Sequence, residues 1–134
     1  FSLYPLGPGL EVEAALRPDV ESAWLFGADS LAARYDAQGW GTWSPSISEL
    51  TLRAATRSGG LLLAVGDDPV SGEAWLMTFD LEVLPNASDA WRAVSLGIDR
   101  QAHDIDVGPE GITIVGAEIT QNGTTRPFLW FIEL

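Results

Sequence analysis

His103 is the one histidine in a chain of 134 residues that carries 19 acidic side chains. An imidazole beside carboxylates is the usual general-base arrangement near neutral pH and also a metal-ligand set. Asp104 and Asp106 are its nearest acids, with Asp99 a little before them. On a regular strand, side chains alternate between two faces. Ala102, Asp104 and Asp106 then point one way and His103, Ile105 and Val107 the other, so this local trio is not expected to converge. A second acidic group, Asp67, Asp68 and Glu73, falls in a polar loop and could offer oxygen ligands to Ca²⁺. Its spacing fits neither an EF-hand nor a glycine–aspartate β-roll repeat, so a solvated loop is the competing expectation. Beyond Ca²⁺, no cofactor is expected.

Tryptophan supplies the other chemistry. Trp40, Trp43 and Trp91 fall next to turns on outer strands, where an indole can stack on a sugar ring or anchor a protein partner. The alternative is packing between neighbouring sheets. Trp24, Trp75 and Trp130 sit within apolar runs and are expected in the core. Zero cysteines exclude disulfides, thiolate zinc sites and a cysteine nucleophile. There is no Gly-x-Ser-x-Gly elbow, no P-loop and no dinucleotide fingerprint. Asn86-Ala87-Ser88 and Asn122-Gly123-Thr124 match a glycosylation sequon, but the second is better explained as a turn of type I′.

The elements that must position these residues are strands. Residues 60–81, GLLLAVGDDPVSGEAWLMTFDL, read as two strand-length apolar runs joined by turn chemistry. Residues 23–36 and 112–133 look like the same hairpin. A helical reading of LAARYDAQ (residues 31–38) ranks second to a return strand. Before each hairpin comes an alternating stretch: LEVEAAL, ELTLRAAT and AHDIDV. In the second, Leu50, Leu52 and Ala54 are expected inward. After the first two hairpins comes a short strand with tryptophan, GWGTW and DAWRAVSL. The unit is four strands in roughly 40–50 residues, the period of propeller blades. The units run over residues 9–45, 46–97 and 98–134 of a single β domain.

Set on Gly27, Gly66 and Gly116, with the turn glycines Gly60 and Gly111 and the Tyr35-Asp36…Gly39-Trp40 ending, the pattern resembles the blades of bacterial secreted β-propeller repeat proteins. Neither the WD40 signature nor the Asp-box accompanies it. The resemblance implies an all-β architecture of three four-stranded antiparallel blade-like sheets, a partial propeller or propeller-like, and carries no catalytic residue across. The third unit has only three strands of its own, and residues 1–8 are the candidate for its closing strand. Three blades fall short of the roughly four to eight that close a ring. The chain is then an excerpt of a longer propeller, half of a two-copy six-bladed ring, or three sheets stacked without a ring.

Charge narrows the partners. Nineteen acids against seven arginines and no lysine give a net charge of −12, which repels phosphate backbones and anionic lipid. No stretch approaches the roughly 18 apolar residues of a membrane helix. Nucleic acid and membrane insertion are therefore not expected; a protein subunit or self-association is, with a glycan as the alternative ligand. Opening at Phe1 suggests a processed or truncated N-terminus, and the composition suggests a bacterial extracellular or periplasmic setting. The leading functional expectation is a non-catalytic interaction or assembly module, followed by a lectin using the outer tryptophans. A hydrolase with channel-facing acids such as Asp104 or Asp106 comes third.

Overall fold

The computed structural model describes residues 12–17, 22–28, 32–37, 39–42, 50–81 and 91–133, with 39–42 described by strand pairing alone. All the regular elements among them are strands: β1 Val12–Leu16, β2 Ala23–Gly27, β3 Ala32–Asp36, β4 Gly39–Thr42, β5 Thr51–Ser58, β6 Leu61–Asp67, β7 Glu73–Asp80, β8 Trp91–Ile98, β9 Arg100–Gly108, β10 Gly111–Ile119 and β11 Thr125–Glu133. The helical alternative for residues 31–38 gives way to β3. The strands form three antiparallel sheets in sequence order: β1-β2-β3-β4, β5-β6-β7-β8, and β9-β10-β11. Among the described residues no closed barrel or propeller is formed. The segment expected to add a fourth strand to the third sheet, residues 1–8, lies outside the described residues.

Each sheet is a meander, its successive strands pairing antiparallel in chain order. Gly59 takes a positive φ of 58° between β5 and β6, where only two residues separate the paired Ser58 and Leu61. The β10–β11 hairpin departs from the type I′ expectation. Type I′ needs positive φ at both central residues. Here Gly123 has φ 77°, its N–H donates to the Thr120 carbonyl, and Thr120 N–H donates to the Thr124 carbonyl. The loop therefore has three residues, Gln121 to Gly123, with glycine alone in the left-handed region.

The sheets pack face on face, leaving the middle one covered on both sides. Leu62, Ala64, Met77 and Phe79 meet Trp24, Phe26 and Ala32 of the first sheet. Leu63, Val65, Ala74 and Leu76, from the other face of the same strands, meet Ala102, Ile105, Ile112 and Ile114 of the third. This explains the uninterrupted LLLAV of β6, since a strand buried on both faces has no polar side. The first strands β1, β5 and β9 lie side by side, so the sheets are stacked along their inner borders.

Each first strand carries one extra residue. The register slips at Glu13 opposite Gly27, at Arg53 opposite Gly66, and at His103 opposite Gly116. These are β-bulges, two residues facing one across the ladder. Their recurrence at one site in all three sheets is a structural repeat. The opposing glycine is required because the bulge drives backbone into it: a Cβ on Gly66 would overlap the Thr51 carbonyl and stand 2.9 Å from Leu52 Cα, and one on Gly116 would overlap the Gln101 carbonyl and stand 3.1 Å from Ala102 Cα.

The bulges correct two face assignments made from simple alternation. Leu50 and Leu52 do face the first sheet, but beyond Arg53 the phase changes: Ala55 continues that face and Ala54 packs on the third sheet. In β9, Ala102, Ile105 and Val107 share the packed face, while His103, Asp104 and Asp106 are all exposed on the other. His103 does not oppose the two aspartates as strict alternation demanded.

Candidate functional site

An extra residue at a β-bulge re-aims a side chain without disturbing the packed face. At the middle bulge, Arg53 Nε donates to Asp67 Oδ1 at 2.7 Å and Arg53 Nη2 to Oδ2 at 3.3 Å. Asp67 is only 3% exposed. A buried carboxylate needs such a fork to offset its lost hydration. The Arg53 guanidinium is correspondingly held above its ordinary pKa, chiefly by the hydrogen bond it donates to Asp67, with burial opposing and the charges of Asp67 and Glu13 assisting. In the third sheet the same two positions hold His103 and Ala117, so no pair forms there. His103 Nε2 lies 3.2 Å from Gln101 Oε1 instead. Asp104 turns its Oδ1 back to accept from the Ile105 N–H at 2.9 Å.

The acids expected as a Ca²⁺ group are separately engaged. Asp67 belongs to Arg53. Asp68 Oδ1 accepts from the backbone N–H groups of Val70 at 2.8 Å and Ser71 at 3.2 Å, and these two bonds, Val70 first, hold its carboxyl below the ordinary range. Glu73 Oε1 accepts from the Ser95 hydroxyl at 2.6 Å. Asp68 therefore folds its own loop. Among the described residues no group of three His, Asp or Glu side chains is placed to hold a metal.

Of the outer tryptophans, Trp91 is taken up by packing. Its ring lies 4.9 Å from Phe79 and meets Trp24 edge-on at 6.4 Å, against the core between the first two sheets. Trp40 is placed in β4 opposite Tyr35, and Trp43 lies outside the described residues. Trp24 is fully buried; Trp75 and Trp130 pack partly buried against the two cores.

The remaining candidate feature is a surface. On the third sheet, the face turned away from the second carries Val115 (42% exposed), Leu129 (59%) and Phe131 (52%). Alignment on the bulge glycines gives each a counterpart in the middle sheet. Val115 precedes Gly116 as Val65 precedes Gly66. Leu129 pairs with Val115 as Leu76 pairs with Val65. Phe131 pairs with Thr113 as Thr78 pairs with Leu63. Val65, Leu63 and Leu76 are buried by the third sheet. Three large apolar side chains on one face exceed the scatter of lone exposed hydrophobics that soluble surfaces tolerate. The neighbouring edge, nine residues of β11, pairs only with β10 among the described strands. The sequence alone points the same way, since FLWFIEL (residues 128–134) is too apolar to be left free.

The interface already formed shows what such cover looks like. A bulge at Leu96 turns its carbonyl toward the third sheet, where it accepts from Arg100 Nη1 at 2.8 Å and Trp130 Nε1 at 3.0 Å. The Arg100 guanidinium lies 4.1 Å above the Phe128 ring, a cation–π contact. No protein-family model, curated protein or solved structure matches this chain.

Proposed function

We propose that the chain is a non-catalytic assembly module, a run of blade-like sheets that docks on further sheet-forming protein to complete a larger β assembly. One observation carries this reading. The outward face of the third sheet exposes Val115 and Leu129 at the positions of Val65 and Leu76, which the second sheet buries against its neighbour, with Phe131 exposed beside them. Burying apolar area is worth about 25 cal/mol per Å², so water is a poor final neighbour for Leu129 and Phe131. The edge of β11, which pairs only with β10 among the described strands, points the same way, because unpaired strand edges invite pairing. A propeller-like arrangement in an extracytoplasmic bacterial protein accommodates both features. The glycan-binding alternative now rests on Trp40 and Trp43, since Trp91 is packed against Trp24 and Phe79.

The test compares the whole chain with the double variant Leu129→Glu/Phe131→Glu by light scattering and by binding of a hydrophobic dye. The wild type associates, in whatever stoichiometry, and binds dye. The variant does less of both while its unfolding midpoint in urea, measured in dilute, dissociated protein, stays the same. A wild type that stays monomeric at all concentrations, with dye binding indifferent to the two substitutions, defeats the reading.

A further inference from the structure

At the other end of the stack, no described sheet covers the outward face of the first sheet. In the second and third sheets, the face turned toward the preceding sheet is lined by Leu52, Ala55, Ala64 and Met77, and by Ala102, Ile105, Ile114 and Trp130, all within the two cores. The same register positions in the first sheet are Val12, Ala15, Leu25 and Ala33. All four are apolar. Val12 is 43% exposed where Leu52 and Ala102 are fully buried. Ala15 is also exposed, Leu25 half-buried and Ala33 buried. The chain thus ends in the two complementary halves of an interface that it already forms twice internally, one half on the first sheet and the other on the third.

We propose that the occupant of both faces is a second copy of this chain, docked head to tail, with the first sheet of each copy seated on the third sheet of the other. This deepens the assembly reading and rests on it. A head-to-tail contact either closes or propagates. With β1, β5 and β9 side by side at the inner border, two copies related by a two-fold axis beside those strands make six sheets, a number at which such rings close. Asp104 and Asp106 are exposed on the same outward face as Val115, at the inner border of the contact, so their charges belong to the docking surface. Each copy carries a net charge of −12, so added salt screens the repulsion and tightens the pair.

Cysteine cross-linking tests this directly, because the chain has no cysteine of its own. Ala15→Cys marks the first-sheet face and Val115→Cys the third-sheet face, each in the whole chain with its circular dichroism checked against wild type. The expected result is a wild-type mass that plateaus at twice 14.4 kDa and rises to that plateau at lower protein concentration when salt is added. A disulfide-linked dimer then forms when the two variants are mixed and oxidised, and not from either alone. A dimer cross-linked by Val115→Cys alone means that third sheets meet face to face; a mass that grows without limit means an open chain. Either result overturns the head-to-tail pair and leaves the assembly reading standing. A monomer throughout, unaffected by Leu129→Glu/Phe131→Glu, overturns both.

Discussion

The second and third sheets share a plan and differ in their neighbours. Both begin with a bulged strand, both answer the bulge with a glycine, and both return through a strand whose residues pair in the same order. Leu76 and Leu129 are equivalent by register, yet one is 4% and the other 59% exposed. Local pattern specifies a sheet, while burial is conferred by what lies on top of it. An apolar side chain is therefore evidence about the assembled state as much as about the isolated chain.

The largest test of that equivalence is at the bulge glycines. Gly66→Ala forces a Cβ into the Thr51 backbone of a sheet clamped on both faces, and should cost about 4 kcal/mol or prevent folding. Gly116→Ala makes the same collision in a sheet free on one side, and should cost roughly half as much because the backbone can yield outward. Equal losses in urea unfolding would mean that the covering sheets add no rigidity. Next come the paired leucines. Leu76→Ala should lose about 3 kcal/mol as a cavity opens between sheets, whereas Leu129→Ala in dilute, dissociated protein should stay within about 0.5 kcal/mol. The smallest contrast is at the bulge residues. Arg53→Met strands the Asp67 carboxylate and should cost about 2 kcal/mol, the modest figure reflecting an arginine one-third exposed. His103→Met, which strands nothing, should be within about 0.5 kcal/mol, and adding Asp67→Asn to Arg53→Met should restore most of the loss.

The strands and their grouping into sheets were legible because alternation, apolar runs and turn residues are local signals. The bulges were not. Arg53 and His103 fit an alternating pattern as well as any neighbour, and only the backbone slip shows that Ala54 and Asp104 have changed sides. Gly66 and Gly116 were visible as a repeat, but their reason, a carbonyl pressed against them from the preceding strand, is a tertiary fact. Asp67 and Asp68 look alike in sequence; one is buried with an arginine 14 residues earlier and the other folds its own loop, a choice set by which face of β6's end each occupies. Trp91 resembled an exposed ligand-binding residue because its neighbours, Trp24 and Phe79, are distant in sequence.

The Leu96 carbonyl has a mechanical consequence. It accepts from two donors on the adjacent sheet at once, one from β9 and one from β11. Any sliding of the second and third sheets along their strands would sever both bonds in the same displacement and lift the guanidinium off its aromatic seat. Shear at that junction therefore loses all three contacts together rather than one at a time.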